Sequence, residues 1–363
     1  MGMKWKKAVS VFAAAAMTAM ALSGCSGMGN AKESEVQPVH LTFGHGQAEG
    51  HPYHIAALEF KKQVEEKTNH RVIVDIQPNG NLGDEREMTE GLQLGTIDIT
   101  VAVAATLSGF DPDMDVFNFP YLFDSREEAF KVLDGATGQE IFKGLEKQGI
   151  ETYGTFDLGF RSMTNSSRPI VHPADAKGIR MRTLESSVCV DSLGELGIDA
   201  VSMSFGELFT ALQTKAVDGQ ENPLFTIYNS RFYEVQKYLS LTEHFYPVCP
   251  VMVSDLMWKK LNDEDAAIVK EELYEMVKYE RKVAGEQLDE TLQKLKDAGM
   301  EVNTVDKSEF RKAMVLVYNH GHEMLNKLYL IKRSSTQWQK IKNHMHQSLG
   351  SRLLICIARQ VKV

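Results

Sequence analysis

The sequence predicts an α/β protein made of two lobes and one long helix. The chain has 363 residues, which is enough for two ordinary domains. From residue 40 onward, segments with strand periodicity alternate with segments of helical periodicity, and a second such set follows residue 147. A helical pattern then runs from residue 262 to residue 298.

The first set of elements has the order strand, helix, strand, helix, strand, which predicts a parallel sheet covered by helices. Its last strand is almost entirely apolar, so we expect it to be buried on both faces. Pro52 suits the first turn of the first helix, and Gly95 ends the second. The strands are HLTFGH, 71–78 and 96–105, and the helices are Pro52–Lys67 and Glu85–Leu94.

The second set follows a predicted helix over 126–147 and opens with strand character in ETYGTFDLGFRSMTNS. KGIRMRTLES alternates apolar and basic residues, which is typical of a short strand with one face in a core. A helix over Ser187–Gly194 and a short strand in AVDGQENP follow, and Ser204 with Glu207 predicts a capping box. Gly299 closes the long helix, whose apolar residues at helical spacing are Ile268, Val269, Leu273, Met276, Val277 and Leu288.

The N-terminus has the pattern of an export signal. Basic residues at positions 4, 6 and 7 precede an apolar run over 8–22, which is short for a membrane span. The run ends in Leu-Ser-Gly-Cys, which resembles a bacterial lipobox and implies cleavage and lipidation at Cys25. We therefore expect a lipoprotein signal peptide over 1–24, a flexible tether over 25–37, and an extracytoplasmic, lipid-anchored protein. Plain secretion is the alternative.

The C-terminal segment 324–363 differs from the rest, because it carries eight Lys or Arg residues and no Asp or Glu. Its irregular pattern favours a frame-shifted or unrelated extension over a segment that binds anionic lipid or a partner. The chain as a whole has a formal charge of −9, which argues against nucleic acid as a partner. The remaining cysteines lack metal-ligand spacing, and two buried thiols at Cys189 and Cys249 are favoured over a disulfide.

Two arginines are candidates for binding an anion. Arg182 lies near the carboxyl end of its predicted strand, and Arg161 lies where the DLGF strand finishes. Ligands of open α/β sheets bind outside the carboxyl ends of the strands, and guanidinium groups bind carboxylates through two parallel hydrogen bonds. Surface ion pairing of Arg161, Arg180 and Arg182 is the alternative that residue patterns leave open.

Several segments resemble the DctP-type solute receptors of TRAP transporters: FRSMTNSSRPI, ADAKGIRMRTLES, SMSFGELFTALQTKAVDGQENPL, FYEVQKYLSLTEH and NGNLGDEREMTEGLQLGTIDITV. The resemblance covers about residues 39–318. It implies a periplasmic-binding-protein-like fold whose long helix spans both lobes. Lobe I would comprise 38–158 plus 248–287, and lobe II 159–247 plus 288–323. Such a receptor binds an organic acid anion and delivers it to a membrane permease, so no enzymatic activity and no cofactor are expected.

The resemblance also assigns roles to four residues. Arg182 would grip the ligand carboxylate, and Arg161 would support the anion or a second acidic group. Asn222 would hydrogen-bond the ligand, and Phe205 would line the pocket. Arg180 would then be a surface residue.

Specificity is expected from further positions. Gln47, Glu49 and His51 lie in the loop GHGQAEGHPY before the first helix, and Asp157 and Glu185 are further candidates. Acidic groups in an anion site repel a bare dicarboxylate but accept hydrogen bonds from hydroxyl groups. This favours a sugar acid over succinate or malate. Residues 103–106, at the end of the third strand, are further candidates to line the binding crevice.

Alternative functions follow from other patterns. His45, His51, His54 and Glu49 could make a metal-binding receptor, although a polar crevice loop is the favoured reading. No GxSxG, HExxH or paired-carboxylate motif supports an enzyme. A receptor that presents its ligand to a sensor kinase would need the same closure of the lobes. The sequence does not distinguish this alternative from a transport receptor. The aromatic run Phe117, Phe119, Tyr121 and Phe123 is expected in the core.

Overall fold

A computed structural model describes residues 37–320. The predicted signal peptide, Cys25, the tether up to residue 36 and the basic tail lie outside the described residues.

The strands are β1 (Val39–His45), β2 (Val72–Gln77), β3 (Ile99–Val101), β4 (Ile150–Asp157), β5 (Arg161–Asn165), β6 (Arg180–Thr183), β7 (Asp199–Ser202), β8 (Gly219–Pro223), β9 (Tyr238–Phe245), β10 (Val248–Ser254) and β11 (Glu301–Thr304). The α-helices are α1 (Pro52–Lys67), α2 (Glu85–Leu94), α3 (Ala104–Leu107), α4 (Arg126–Leu133), α5 (Ala136–Glu146), α6 (Ser187–Gly194), α7 (Leu208–Gln213), α8 (Leu224–Asn229), α9 (Asp263–Asp297), α10 (Lys307–Met314) and α11 (Val317–His320). Within this range no helix is both long and apolar enough to cross a membrane.

The first sheet has the strand order β2-β1-β3-β10-β4. Strand β1 pairs in parallel with β2 and β3, which confirms the parallel arrangement predicted for the first set of elements. Strand β10 comes from much later in the chain and pairs antiparallel with both β3 and β4. The sheet is therefore mixed.

The second sheet has the order β11-β9-β5-β8-β6-β7. Strand β6 pairs in parallel with β7 and β8, whereas β5 pairs antiparallel with β8 and β9. Strand β6 lies inside the sheet, and its residues Met181, Arg182 and Thr183 are all buried, whereas Arg180 at its start is exposed. The solvent face predicted for this strand is thus limited to Arg180.

The chain crosses between the sheets at two adjacent places. Strand β4 of the first sheet ends at Asp157 and β5 of the second sheet begins at Arg161; β9 of the second sheet ends at Phe245 and β10 of the first sheet begins at Val248. Helix α9 packs on α1 and β4 and also on α8. These features confirm the predicted two-lobed α/β fold with a long helix that contacts both lobes. The residue boundaries given for the lobes stay a prediction.

Three local predictions need correction. The apolar segment 96–105 is a strand only over Ile99–Val101, because the chain turns at Val103 into the short helix α3. The segment 126–147 forms two helices, α4 and α5, separated at Asp134 and Gly135. In the described chain, Ser204 makes no side-chain capping hydrogen bond; it precedes a 3-10 turn over Phe205–Glu207 that leads into α7.

The burial predictions are confirmed where the structure describes them. The aromatic run Phe117, Phe119, Tyr121 and Phe123 is buried. Cys189 and Cys249 are free thiols, and both are buried. Of the apolar residues predicted on the long helix, Val269, Leu273, Met276 and Val277 are buried, whereas Ile268 and Leu288 are half-buried.

Candidate ligand-binding site

A cavity of about 250 Å³ lies between the two sheets. The lobe of the first sheet contributes the loop after β1, the turn after β2 with the start of α2, and the region around α3. The lobe of the second sheet contributes the ends of β6 and β8 and the loop before α7. Its lining residues are Gly46, Gln47, Asn79, Gly80, Gly83, Asp84, Glu85, Val103, Thr106, Leu158, Arg161, Arg182, Leu184, Glu185, Ser204, Phe205, Gly206 and Asn222.

Arg182 is a buried cation in the wall of this cavity, with 2% of its surface exposed. Its Nε and Nη2 atoms donate hydrogen bonds to the carbonyl oxygen of Met203, at 2.9 and 2.7 Å. Among the described residues, Nη1 has no hydrogen-bond partner and no carboxylate forms an ion pair with Arg182. Burial, together with the charge of Arg161, lowers the pKa of Arg182 to about 10, so the group is still charged at neutral pH. A buried charge without a counterion is costly, and a bound anion would remove that cost.

Arg161 differs because its charge is already balanced. It is 1% exposed, and its Nε and Nη2 atoms donate to the two carboxylate oxygens of Glu221 at 2.5 and 3.0 Å. The Glu221 carboxylate also accepts a hydrogen bond from the Thr183 hydroxyl at 2.9 Å and lies 3.3 Å from Nε2 of His244. Burial alone would raise the pKa of Glu221, but Arg161 and His244 lower it to about 2. Arg161 therefore enters the cavity as half of an ion pair.

Glu85 is a lining residue that the sequence reasoning missed. It is the first residue of α2, directly after the N-cap Asp84, whose side chain accepts a hydrogen bond from the backbone N–H of Glu87. Its Oε2 atom accepts hydrogen bonds from the backbone N–H of Val103 at 3.0 Å and the hydroxyl of Thr106 at 3.2 Å. Burial raises the pKa of Glu85. The signal was present, because the turn NGNLGD follows β2 at the sheet edge where ligands bind.

Neutral polar groups complete the wall. Asn222 donates from Nδ2 to Oε1 of Gln220 at 2.5 Å, which fixes the orientation of its amide. Gln47 connects the lobes, since its Oε1 lies 3.4 Å from the hydroxyl of Thr226 at α8. The partly buried ring of Phe205 packs edge-on against Phe232, with ring centroids 6.1 Å apart.

The structure brings together six of the predicted ligand-binding residues around this cavity, namely Gln47, Arg161, Arg182, Glu185, Phe205 and Asn222. Glu185 is exposed, so it lies at the rim. Val103 and Thr106 of the predicted strand-end wall also line it.

Three predicted contacts do not line the cavity. Asp157 forms an ion pair with Arg126, accepts a hydrogen bond from the Tyr246 hydroxyl at 3.0 Å, and lines a separate cavity of about 160 Å³. It lies there because successive residues of an extended segment point in opposite directions, and the next residue, Leu158, faces the ligand cavity. Glu49 is exposed, and His51 is buried at the N-cap of α1.

The histidine-rich loop does not form a metal centre in the described part of the chain. His51 accepts a hydrogen bond from the backbone N–H of Tyr53 at 3.2 Å, and Nε2 of His45 lies 3.2 Å from Nδ1 of His54. Burial lowers the pKa of His45 to about 3 and also lowers those of His51 and His54. No group of three or more His, Cys, Asp or Glu residues within 37–320 could hold a metal ion.

Comparison with known proteins gives a consistent result. The family profile described as bacterial extracellular solute-binding protein, family 7, matches residues 43–324. The 2,3-diketo-L-gulonate-binding periplasmic protein YiaO of Escherichia coli K12 is 31% identical over 290 residues, which cover 80% of this chain and 88% of that protein.

Two solved structures of TRAP periplasmic solute-binding proteins are similar along almost their whole length. The protein from Polaromonas sp. JS666, bound to D-erythronate, is 36% identical with a TM-score of 0.77, and the match covers 81% of this chain and 98% of that one. The protein from Sulfurospirillum deleyianum, bound to succinate, is 29% identical with a TM-score of 0.79, and the match covers 83% and 99%.

Proposed function

The chain belongs to family 7 of the bacterial extracellular solute-binding proteins, the DctP-type receptors of TRAP transporters, and from this premise we propose that its ligand is a hydroxylated monocarboxylate of the sugar-acid class. Such a receptor binds the acid outside the cytoplasm and delivers it to the membrane permease. The protein performs no chemical step on the ligand in this mechanism.

The unpartnered Nη1 atom of Arg182 carries the proposal. The backbone carbonyl of Met203 holds two of the three guanidinium nitrogens, so the side chain is oriented before ligand arrives. A carboxylate at Nη1 would gain a charge-assisted hydrogen bond in a site largely removed from water. Closure of the lobes around the ligand would remove more water and strengthen this contact.

The remaining lining groups favour hydroxyl groups over a second carboxylate. Among the described residues that line the cavity, the basic ones are Arg161 and Arg182, and Arg161 is already paired with Glu221. Three acidic residues, Asp84, Glu85 and Glu185, line the same cavity. Those that are ionised would repel a second carboxylate, and all three, ionised or protonated, can hydrogen-bond to hydroxyl groups. The D-erythronate bound by the Polaromonas relative has this character, whereas the succinate bound by the Sulfurospirillum relative does not.

A ligand screen tests the proposed class. Residues 26–363 would be melted in the presence of D-erythronate, D-galactonate, D-galacturonate, succinate, malate and zinc. A ligand that binds the native state raises its stability by about 2.7 kcal/mol at a hundred times Kd. We expect the sugar acids to raise the melting temperature more than succinate or malate. A shift from zinc alone, or a larger shift from the dicarboxylates, would contradict the proposal.

Substitution of Arg182 tests the binding role. We expect Arg182→Ala to lower the affinity for the best acid by at least about a hundredfold, because removing one partner of a buried charge pair costs about 3–5 kcal/mol. Arg182→Lys should not restore it, since an ammonium group cannot reproduce the planar fork. Arg180→Ala is the matched control, because Arg180 lies on the same strand but is exposed. If isothermal titration calorimetry gave near-normal affinity for either Arg182 variant, the proposed role of Arg182 in binding the carboxylate would be wrong.

The same proposal includes a lipid anchor and a division into lobes. The signal peptide would end at residue 24, Cys25 would carry the lipid, and the lobes would comprise 38–158 plus 248–287 and 159–247 plus 288–323. The segment 324–363 would not be needed for binding. Mass spectrometry of the membrane fraction should find lipid on Cys25, and Cys25→Ser should abolish that modification.

A further inference from the structure

We propose that binding of the acid in this cavity is coupled to the uptake of one proton by Glu85. The inference rests on the proposed function, because it requires an anionic ligand at Arg182. The proton would come from solvent and would be held on the Oε1 atom of Glu85. The resulting O–H group would donate a hydrogen bond to the ligand.

The geometry around Glu85 leaves one oxygen available. Oε2 is occupied by the hydrogen bonds from Val103 and Thr106. The other oxygen, Oε1, accepts no hydrogen bond from the described residues, and Glu85 shares the cavity wall with Arg182. A ligand gripped by Arg182 therefore lies in the space that Glu85 also lines.

The charges that face Glu85 make its protonation sensitive to the ligand. Arg182 of β6 and Arg161 of β5 favour its charged form, while burial disfavours it and keeps its pKa above the ordinary value. Tyr53 of α1 and Cys249 of β10 lie close enough to interact with it electrostatically. The pKa of each of these two groups is raised by burial, so both stay neutral. The side chains of Asp84, its neighbour in sequence, and of Glu185, at the rim, also line the cavity.

A ligand carboxylate at Arg182 changes this balance in one direction. It offsets the guanidinium charge that supports ionised Glu85, adds a negative charge nearby, and displaces water from the cavity. All three effects favour the protonated form of Glu85. A protonated carboxyl group can donate a hydrogen bond, which an ionised one cannot do. Glu85 should therefore bind a proton more tightly in the complex than in the free protein.

The surrounding histidines do not obscure such an effect. Burial lowers the pKa values of His45, His51, His54 and His244 from the ordinary value, which favours their neutral forms. The carboxyl group of a sugar acid titrates below this range as well.

Titration calorimetry tests the coupling with D-erythronate first and with the best acid of the screen second. At about pH 6.5, the observed heat should differ between MES and imidazole buffers, because each releases its proton with a different enthalpy. The Kd should rise from about pH 5 to about pH 8, by up to about tenfold for each unit by which binding raises the pKa of Glu85.

Glu85→Gln separates this coupling from simple hydrogen bonding. Glutamine stays neutral and can still donate, so we expect affinity near the low-pH value of the wild type, no dependence on buffer, and a flat pH profile. Glu90→Gln, on the exposed side of the same helix, should retain the wild-type profile. Equal heats in both buffers, or a pH profile unchanged by Glu85→Gln, would overturn the coupling while leaving the receptor assignment intact. Absence of binding by every acid would instead overturn the proposed function, and the coupling with it.

Discussion

Glu280 is a buried carboxyl group on α9, beside the point where β4 leaves the first sheet. Its Oε2 atom accepts a hydrogen bond from the backbone N–H of Asp157 at 2.8 Å, whereas Oε1 has no partner among the described residues. Burial, and then the negative charge of Asp157, raises the pKa of Glu280 well above its ordinary value. Asp157 keeps its own counterion, Arg126. Burial therefore favours the neutral, protonated form of Glu280, whose Oε2 atom holds the backbone of the crossing segment.

This state predicts how stability depends on pH. Because the folded-state pKa of Glu280 is raised, its contribution is fully present below about pH 4 and is lost as pH rises toward the folded pKa. Glu280→Gln mimics the protonated acid, so at about pH 8 we expect it to melt at least about 2 °C above the wild type, and to lose this advantage at about pH 4. Glu286→Gln, exposed on the same helix, is the control. Thermal melts across the pH range that show a constant difference would refute a neutral Glu280.

At the scale of single residues, the sequence predicted the two arginines of the cavity best. Arg182 and Arg161 could be placed at strand ends and assigned by resemblance, and both line the cavity. Sequence could not show that Arg161 is paired with Glu221, because that pairing depends on the register of β5 against β8. Asp157 was misplaced for the same kind of reason. A shift of one residue along an extended segment moves a side chain to the opposite face.

At the scale of elements, the break between α4 and α5 has a specific cause. Gly138 lies so close to the preceding helix that a Cβ atom there would be 2.2 Å from the carbonyl oxygen and 2.6 Å from the Cα of Leu133. The start of α5 therefore packs directly against the end of α4 at a glycine, with Gly135 as the N-cap of α5. Helical periodicity continues through both segments, so the pattern alone predicted one helix.

This packing predicts a large effect from a single methyl group. Gly138→Ala should destabilise the protein by about 1–3 kcal/mol, because the clash is with backbone that cannot move aside freely. Gly194→Ala is the matched control at the end of α6, where no heavy atom of the described chain, apart from its chain neighbours and the backbone of its own helix, lies within 4 Å of the added Cβ. It should be neutral or slightly stabilising. Urea unfolding that shows equal stability for both variants would contradict the close packing.

Strand β10 shows what sequence patterns could not predict at this scale. Its segment VCPVMVS contains Pro250, and proline argues against a central strand because it cannot donate a hydrogen bond to the sheet. The structure accommodates it at an irregularity in the pairing with β4, between Pro250 and Met252. Its partners β3 and β4 lie far away in sequence, so local periodicity carried no information about the pairing.

At the scale of the whole molecule, two crossing segments and α9 connect the lobes. The crossings place Leu158 and Arg161 in the wall of the ligand cavity, so any rotation of one lobe on the other changes the shape of the site. Away from the ligand cavity, His51 before α1 packs edge-on against Phe225 of α8, with ring centroids 6.0 Å apart. Contacts of this kind can form and break as the lobes close and open.

Closure predicts a measurable change in size. We expect the radius of gyration from small-angle X-ray scattering to decrease when the best acid of the screen is added to the wild type. The same acid concentration should leave Arg182→Ala unchanged, whereas Arg180→Ala should respond like the wild type. A saturated complex with the same scattering profile as the free protein would show that binding occurs without closure.

The two buried thiols lie in different lobes, Cys249 on β10 of the first sheet and Cys189 on α6, which packs against β7 of the second. Burial raises the pKa of each thiol, so neither reacts readily with a thiol reagent in the folded protein. In a chain whose Cys25 and Cys356 are replaced by serine, the labelling rate of each site would therefore report how often its own lobe unfolds. Peptide mapping over time would show which half of the receptor opens first, and whether a bound acid slows both halves equally.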